Sequence, residues 1–570
     1  MIKLNLFGRG LKLQIAIMVG CQMAFILFGY DQGVFGGIVT NEDWLNTFGH
    51  PGSGLEGIIV SIYNLGAFSG CILTFIWGEK LGRRLCMWLA MGWIITGAIL
   101  QCTSYSVPQI MVARYITGIG TGIETSTVPM YQSELCDADK RGRLVSSEPL
   151  FVGVGIVISY FFDYGMRFVG GPVAWRVPIA CQVIFAFVVI FLVFGLPESP
   201  RWLYYHGRND EALQVMCDVW DEPPDGEKVL KMQTEILETI AMERKEGEYK
   251  WANILKRDDV QTGRRVLLAY GMQFMNQVGG INLVVYYVPT ALQNNVGLSA
   301  NLSLVIGGCV QTMFFFGSLI PTFLLDRMGR RRPMMWGSAG LAISMMLIAV
   351  LLSFSTARGY SPTLQKATSS ASVTFFFTYM FIFGATGELE RYNMRRREIL
   401  PLHARAKGTA IGISSNWLWK CVFNHIHWFG IFELTLADSF VIVMITPTLL
   451  NNLQWKGYLY VLPQHPSTLI GLKLTVHLLQ SIFMCTNFAF VPLVYFCYPE
   501  TKNLTLEEVD HLFTAGGKHG AKALTAPSQP VQESFRAQAL GDDEKLGGRD
   551  GGLAAEHAEV MDEVKDSHSV

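Results

Sequence analysis

Apolar residues in this chain are gathered into blocks about 20 long, the length that an α-helix needs to cross a hydrocarbon layer of roughly 30 Å. Twelve such spans are read, at approximately 13–39, 57–77, 85–104, 107–128, 148–168, 174–196, 264–290, 298–325, 333–354, 371–386, 408–450 and 457–498. Composition agrees. Half of the 570 residues are apolar, 16% are charged, and mean hydropathy is +0.31. A soluble globular chain carries about 25% charged residues. The expected fold is therefore an all-α polytopic membrane protein. Lys3, Arg9 and Lys12 precede the first apolar block as in a signal peptide. That block continues past Phe28 to Asp31 and more spans follow, so it reads as an uncleaved first helix.

Several function classes drop out early. The formal net charge of −1 provides no overall field for nucleic acid. The 11 cysteines are scattered, as at Cys71, Cys86, Cys102 and Cys309, without a CxxC pair. They are expected to be free buried thiols; no metal site and no cofactor is expected. No nucleophile–base pair or phosphate-binding loop suggests an enzyme.

Charge also orders the chain. Arg83–Arg84, Lys140–Arg141–Arg143, Arg327–Arg330–Arg331–Arg332 and Arg405–Lys407 follow spans 2, 4, 8 and 10. The loop 40–56 has no Lys or Arg. By the positive-inside rule both termini and the hydrophilic segment 197–263 face the cytoplasm. The reading is an N-terminal six-helix half (1–196), a linker of short surface helices (197–263), a C-terminal half (264–513) and a disordered tail (514–570). The halves share a repeat. Glu79 precedes Gly82-Arg83-Arg84 after span 2, and Asp326 precedes Gly329-Arg330-Arg331 after span 8. Repeated halves with a site between them are the usual build of secondary transporters.

Further motifs accompany these in order. They include Gly29-Tyr30-Asp31, Arg114 with Gly118, Gly120 and Gly122, Pro129-Met130-Tyr131 with Glu134, and Pro197-Glu198-Ser199-Pro200-Arg201. Later come Gln277-Val278-Gly279-Gly280-Ile281-Asn282, Asn416-Trp417 and Pro499-Glu500-Thr501-Lys502. Together they resemble the sugar porter family of the major facilitator superfamily, most closely its fungal members. The resemblance implies a multi-pass, plasma-membrane carrier of a monosaccharide, hexose or pentose, with proton-coupled symport by alternating access. A passive facilitator and a non-transporting sugar sensor remain as alternatives. The implied partners are a sugar, a proton and the lipid bilayer.

An ionisable side chain inside an apolar span is costly and marks function. Asp31 and Arg114 are such residues. The resemblance places them together and gives Asp31 the part of a proton-binding carboxylate; the alternative is a fixed structural pair. Glu124 is a second titrating group, a hydroxyl acceptor, or the partner of a loop arginine. A sugar needs amides and an aromatic ring. Asn276, Gln277, Asn282 and Tyr286 in span 7 provide them, with Gln277, Asn282 and Tyr286 near one helix face. The resemblance adds Phe28, Thr125 and Asn416. It also implies an inner gate built from Glu79, Arg83, Arg84, Glu134, Arg141, Glu198, Arg201, Asp326, Arg330, Arg331, Arg405 and Glu500. Two departures bear on the sugar: Pro149 stands where the family offers a glutamine, and Asn276 replaces a longer glutamine.

Spans 10–12 depart more. Residues 387–397 hold two Glu and four Arg where the family has a Pro- and Trp-containing hinge. Each charge at mid-membrane costs about 2.5–3.5 kcal/mol. Segment 420–438, with Lys420, His425, His427, Glu433 and Asp438, interrupts span 11. Segment 460–481, with His465, Pro466 and Lys473, interrupts span 12. The expectation is that 420–438 and 460–481 are translated introns and that 387–397 is a shifted frame or misplaced splice; the alternative is a genuine lineage-specific loop, and if the segments are really translated the product would be inactive. Sequencing full-length transcripts should yield messages lacking the two intervening stretches. Uninterrupted message through all three segments would dispose of the idea.

Overall fold

The computed structural model describes residues 7–136, 138–245, 261–329, 331–354, 360–386, 400, 412, 414–418, 468–500 and 513. The long helices are α1 (Leu11–Ile38), α3 (Ser53–Leu81), α4 (Arg83–Cys102), α5 (Val107–Leu135), α6 (Ala138–Arg167) and α7 (Val173–Phe194). A short α2 (Glu42–Thr47) lies between the first two. Then come α8 (Pro200–Tyr205), α9 (Asn209–Trp220) and α10 (Glu227–Lys245) in the hydrophilic linker. After it stand α11 (Thr262–Val278), α12 (Ile281–Ala291), α13 (Ala300–Met328), α14 (Arg331–Leu352), α15 (Pro362–Ala385) and α16 (Thr468–Cys497). Among the described residues, eight helices are long and apolar enough to cross a membrane.

Lipid tails are as apolar as leucine, so helices in a bilayer associate through close packing of small residues. Gly29, Gly33 and Gly37 repeat every four positions along α1 and face α6. A Cβ on Gly29 would lie 2.0 Å from the Val152 carbonyl oxygen, and one on Gly33 2.0 Å from Ser159 Oγ. Between α3 and α5 the contact is reciprocal: Gly66 and Gly70 meet the carbonyls of Tyr115 and Ile119, while Gly118 and Gly122 meet those of Tyr63 and Ala67. Helix α13 packs against both α15 and α6, so it joins the two halves.

Four readings of the sequence change. Span 7 is not one helix: it breaks between α11 and α12, where Gly280 has φ 92°. Span 10 begins at Pro362, not near 371, because Ser361 caps it by accepting from the Leu364 N–H and Pro362 fixes the first turn. Residues 468–481, read as part of an interruption, are helical and continuous with the rest of α16, whose 30 residues reach about 45 Å. The thiols are free among the described residues, but Cys102 and Cys309 are only partly buried. Residues 387–397 and 420–438, most of span 11 and the tail 514–570 lie outside the described residues.

A side chain at Gly122 should force α3 and α5 apart, since its Cβ would sit 2.1 Å from the Ala67 carbonyl oxygen. Overpacking of this kind costs ~1–3 kcal/mol. Gly122→Val should lower the Tm of the detergent-solubilised protein and broaden its size-exclusion peak. Gly92→Val, where a Cβ meets nothing within 4 Å, should leave both unchanged.

Candidate functional site

Gly279 and Gly280 interrupt the backbone ladder of span 7 inside the bundle, so freed carbonyls need other donors. They find them on neighbouring helices. Tyr379 Oη on α15 and Asn487 Nδ2 on α16 both donate to the Gly279 carbonyl at 3.0 Å. Thr486 Oγ1 donates to that of Val278 at 3.2 Å. The break is thus a fixed feature held by two other helices.

The break sets the amides. Asn282 Nδ2 donates to Gln277 Oε1 at 2.9 Å, and Gln277 Nε2 donates to Asn416 Oδ1. Three of the sequence-predicted residues therefore form one hydrogen-bonded chain across α11, α12 and residues 414–418. They meet because of the kink, not because they share a continuous helix face. Asn276 is buried, and neither of its amide atoms has a hydrogen-bond partner among the described residues. Tyr286 on α12 is buried. Phe28 packs edge-on to Trp417, which also meets Tyr63, at centroid distances of 5.9 and 6.3 Å. Thr125 turns its hydroxyl onto its own helix, donating to the Thr121 carbonyl at 2.8 Å.

The charged residues lie one layer away. Asp31 is 3% exposed, and its Oδ1 accepts from Gln182 Nε2 on α7 at 2.8 Å. Arg114 is 1% exposed and donates to the carbonyls of Ile59 and Val60 on α3, both at 3.1 Å. Its guanidinium stands 3.6 Å from the Phe35 ring centroid, one turn beyond Asp31 on α1. A cation over an aromatic face within about 6 Å is attractive. Asp31 and Arg114 both lie close to Tyr286, and Asp31 lies close to Tyr63 and Glu124. Glu124 is 2% exposed, with no hydrogen-bond partner for either oxygen among the described residues.

The Gly-Arg-Arg repeats form matching turns. Gly82 has φ 85° between α3 and α4, and Gly329 has φ 75° between α13 and α14. In the first turn, the backbone N–H groups of Arg83 and Arg84 donate to the Glu198 carboxylate at 3.0 and 3.2 Å. In the second, the Arg331 N–H donates to Glu500 Oε2 at 2.9 Å. Each glutamate thus caps a helix N-terminus of its own half, where anions are favoured. Arg83 also grips Glu134 with two donors, at 2.9 and 3.0 Å. Arg84 donates to the Phe194 carbonyl, and the exposed Glu79 offers its backbone carbonyl to Trp202 Nε1. Arg201 is half-buried at the start of α8. Arg330 and Arg405 and the side chains of Arg141 and Asp326 lie outside the described residues.

Sequence reasoning missed Gln182, Tyr379 and Asn487. Each is a lone polar residue in an apolar helix, which was a signal without an assignable partner. The Gly279-Gly280 pair is visible in the sequence, but only the structure shows it to be a helix break.

A discontinuous helix at the centre of two repeated halves, with buried amides beside it, defines a secondary transporter of the major facilitator fold. Solved structures agree on that fold. The proton:xylose symporter XylE bound to 6-bromo-6-deoxy-D-glucose matches with a TM-score of 0.67 at 22% identity, covering 88% of this chain and 99% of that one. A partially occluded inward-open form of XylE from E. coli matches with a TM-score of 0.64 at 20% identity, covering 86% and 99%. A family model described as "Sugar (and other) transporter" matches residues 17–436, and the chain belongs to that family. Among its relatives, the MFS-type transporter oryC of Aspergillus oryzae is 35% identical over 504 residues, covering 87% of this chain and 85% of that protein. The sugar transporter STL1 of Saccharomyces cerevisiae is 28% identical over 557 residues, covering 94% and 88%. The low-affinity glucose transporter HXT1 of the same yeast is 28% identical over 556 residues, with the same coverage.

Gln277→Ala should strand the buried amide of Asn282 and the partly buried amide of Asn416. A buried polar group left unsatisfied costs about 1–3 kcal/mol, so the Tm in a thermal-shift assay should fall. Asn276→Ala removes atoms that no described residue uses, and its Tm should match the parent.

Proposed function

We propose that the chain carries a monosaccharide, hexose or pentose, across the plasma membrane together with a proton. Both termini and the 197–263 linker face the cytoplasm in this reading. The halves 1–196 and 264–513 rock about the span 7 amides to give alternating access. The observation that carries the reading is the placement of Asp31. It is a buried carboxylate in the second half of α1, held by Gln182 and set within a patch shared with Arg114, Tyr63 and Tyr286.

The chemistry follows from the surroundings. A carboxylate buried in a medium of low dielectric is costly unless paired, so the charge on Asp31 is sensitive to where Arg114 points. Protonation removes one charge from the patch and alters the relative stability of the two access states. Sugar hydroxyls would be received by Asn276, whose amide is otherwise unused, and by Gln277, Asn282 and Asn416. Phe28 and Trp417 would form the apolar wall. The names of the relatives support a sugar, since HXT1 is named for glucose and XylE for xylose and protons. Arg83, Glu134, Glu198, Arg331 and Glu500 would make the turns that the gate closes upon.

Uptake of radiolabelled glucose and xylose should be measured in cells lacking their own hexose carriers. Accumulation above the external concentration should collapse with a protonophore. In Asp31→Asn it should fall to the protonophore-treated level while exchange of preloaded sugar persists. Undiminished accumulation after both treatments would rule out coupling through Asp31. Exchange without accumulation in the parent would make it a passive facilitator.

A further inference from the structure

A further buried carboxyl lies away from the site described above. Asp163 sits near the end of α6 that is opposite the Gly-Arg-Arg turns. It is 6% exposed, and neither of its oxygens has a hydrogen-bond partner among the described residues. It packs directly on α1: a Cβ added at Gly37 would lie 2.4 Å from its Oδ2. Asp163 also lines a small recess of about 10 Å³ with Gly37, Ile38, Asn41, Arg167, Ala174 and Leu304. That is room for about one water molecule. Leu304 is on α13 and the other lining residues belong to the N-terminal half, so the recess lies on the seam between the halves. Gly37 is six residues beyond Asp31 on α1, which places Asp163 ~9 Å outward of the coupling carboxyl along the helix axis.

The groups facing Asp163 do not neutralise a charge on it by hydrogen bonding. From α1 come Tyr30, whose hydroxyl is committed to the Pro178 carbonyl at 2.9 Å, and, further in, Asp31. From α6 come Tyr160, whose hydroxyl is committed to the Val285 carbonyl at 2.6 Å, and Arg167 at the recess. From α7 comes Cys181, beside Tyr30. Helix α12 places Tyr286 behind Tyr160, and α13 presents Leu304. Asn41, which lines the recess, caps α2, whose first turn carries Glu42 and Asp43.

We propose that Asp163 is a proton-binding site whose occupancy closes the outer seam between the halves. It rests on the alternating-access reading above. An unpaired carboxylate without hydrogen bonds is strongly disfavoured in a closed seam, whereas a neutral carboxylic acid is not. Opening the seam admits water, which stabilises the ionised form. Closing therefore takes up one proton from the outer solution: hydronium gives it to the Asp163 carboxylate and leaves as water. External acidity then favours the closed seam independently of Asp31.

The test reads the seam without any sugar, so a chain that moved no sugar would still pass or fail it. Leu304→Cys, 2% exposed in the closed seam, is labelled from outside with a membrane-impermeant maleimide across a range of pH in intact cells. Labelling should be low in acid and rise with pH. Adding Asp163→Asn should hold labelling low at every pH, while Asp31→Asn should retain the rise. Arg167→Gln removes the nearby cation, which disfavours the ionised form, and should move the midpoint to higher pH. An unchanged pH profile in Asp163→Asn would overturn the proposal. Should that variant fail to reach the surface, an unmoved midpoint in Arg167→Gln would overturn it.

Discussion

The interior of a bilayer offers no water, and the rest of this structure follows from that. Backbone groups and charges at membrane depth must be satisfied by protein, while hydrophobicity does little to hold one helix to another. The chain responds with glycine. Along α1, and reciprocally between α3 and α5, glycines let backbones approach so closely that a Cβ would overlap a carbonyl oxygen. Dispersion over those close contacts then replaces the drive that water would supply. Where the ladder is broken at Gly279–Gly280, hydroxyl and amide groups from α15 and α16 take up the freed carbonyls.

The same constraint gives the polar side chains their meaning. Gln277 makes one hydrogen bond at each amide atom, to Asn416 and from Asn282, whereas neither amide atom of Asn276 has a partner among the described residues. In a protein interior such a residue is a cost unless a ligand meets it. Three of the buried carboxylates differ in the same way. Asp31 is held by Gln182; Glu124 and Asp163 have no hydrogen bond from a described residue. Coupling and gating both need groups whose charge state is sensitive to water entering or leaving.

The two halves share a device at their basic turns. A positive-φ glycine reverses the chain, an arginine begins the next helix, and a glutamate far along the sequence caps its exposed N–H groups. Glu198 and Glu500 come from Pro-Glu motifs that follow the last span of each half, so the cap ties the second hairpin of a half to its exit. Arg83 meets Glu134 and Glu198, and Arg331 meets Glu500, so these contacts join each turn to its own side of the chain.

Much of this was legible in sequence. Blocks of about 20 apolar residues fixed the membrane class, because length and hydropathy are properties of a segment by itself. The paired Gly-Arg-Arg motifs marked the repeat, and isolated charges marked Asp31, Arg114 and Glu124. Helix ends were less legible: Ser361-Pro362 starts α15 earlier than hydropathy suggests, because capping is set by local backbone chemistry and not by apolarity. Residues 468–481 read as an interruption by charge and composition, yet they extend α16. Partners were not legible at all. Nothing in the one-dimensional pattern joins Asp31 to Gln182, Gly279 to Tyr379 and Asn487, or Asp163 to a seam with Leu304. Those pairings depend on which helices cross and at what depth. Sequence determined what this protein is made to sit in. Only the tertiary packing decided which polar groups are satisfied and which are left to bind something else.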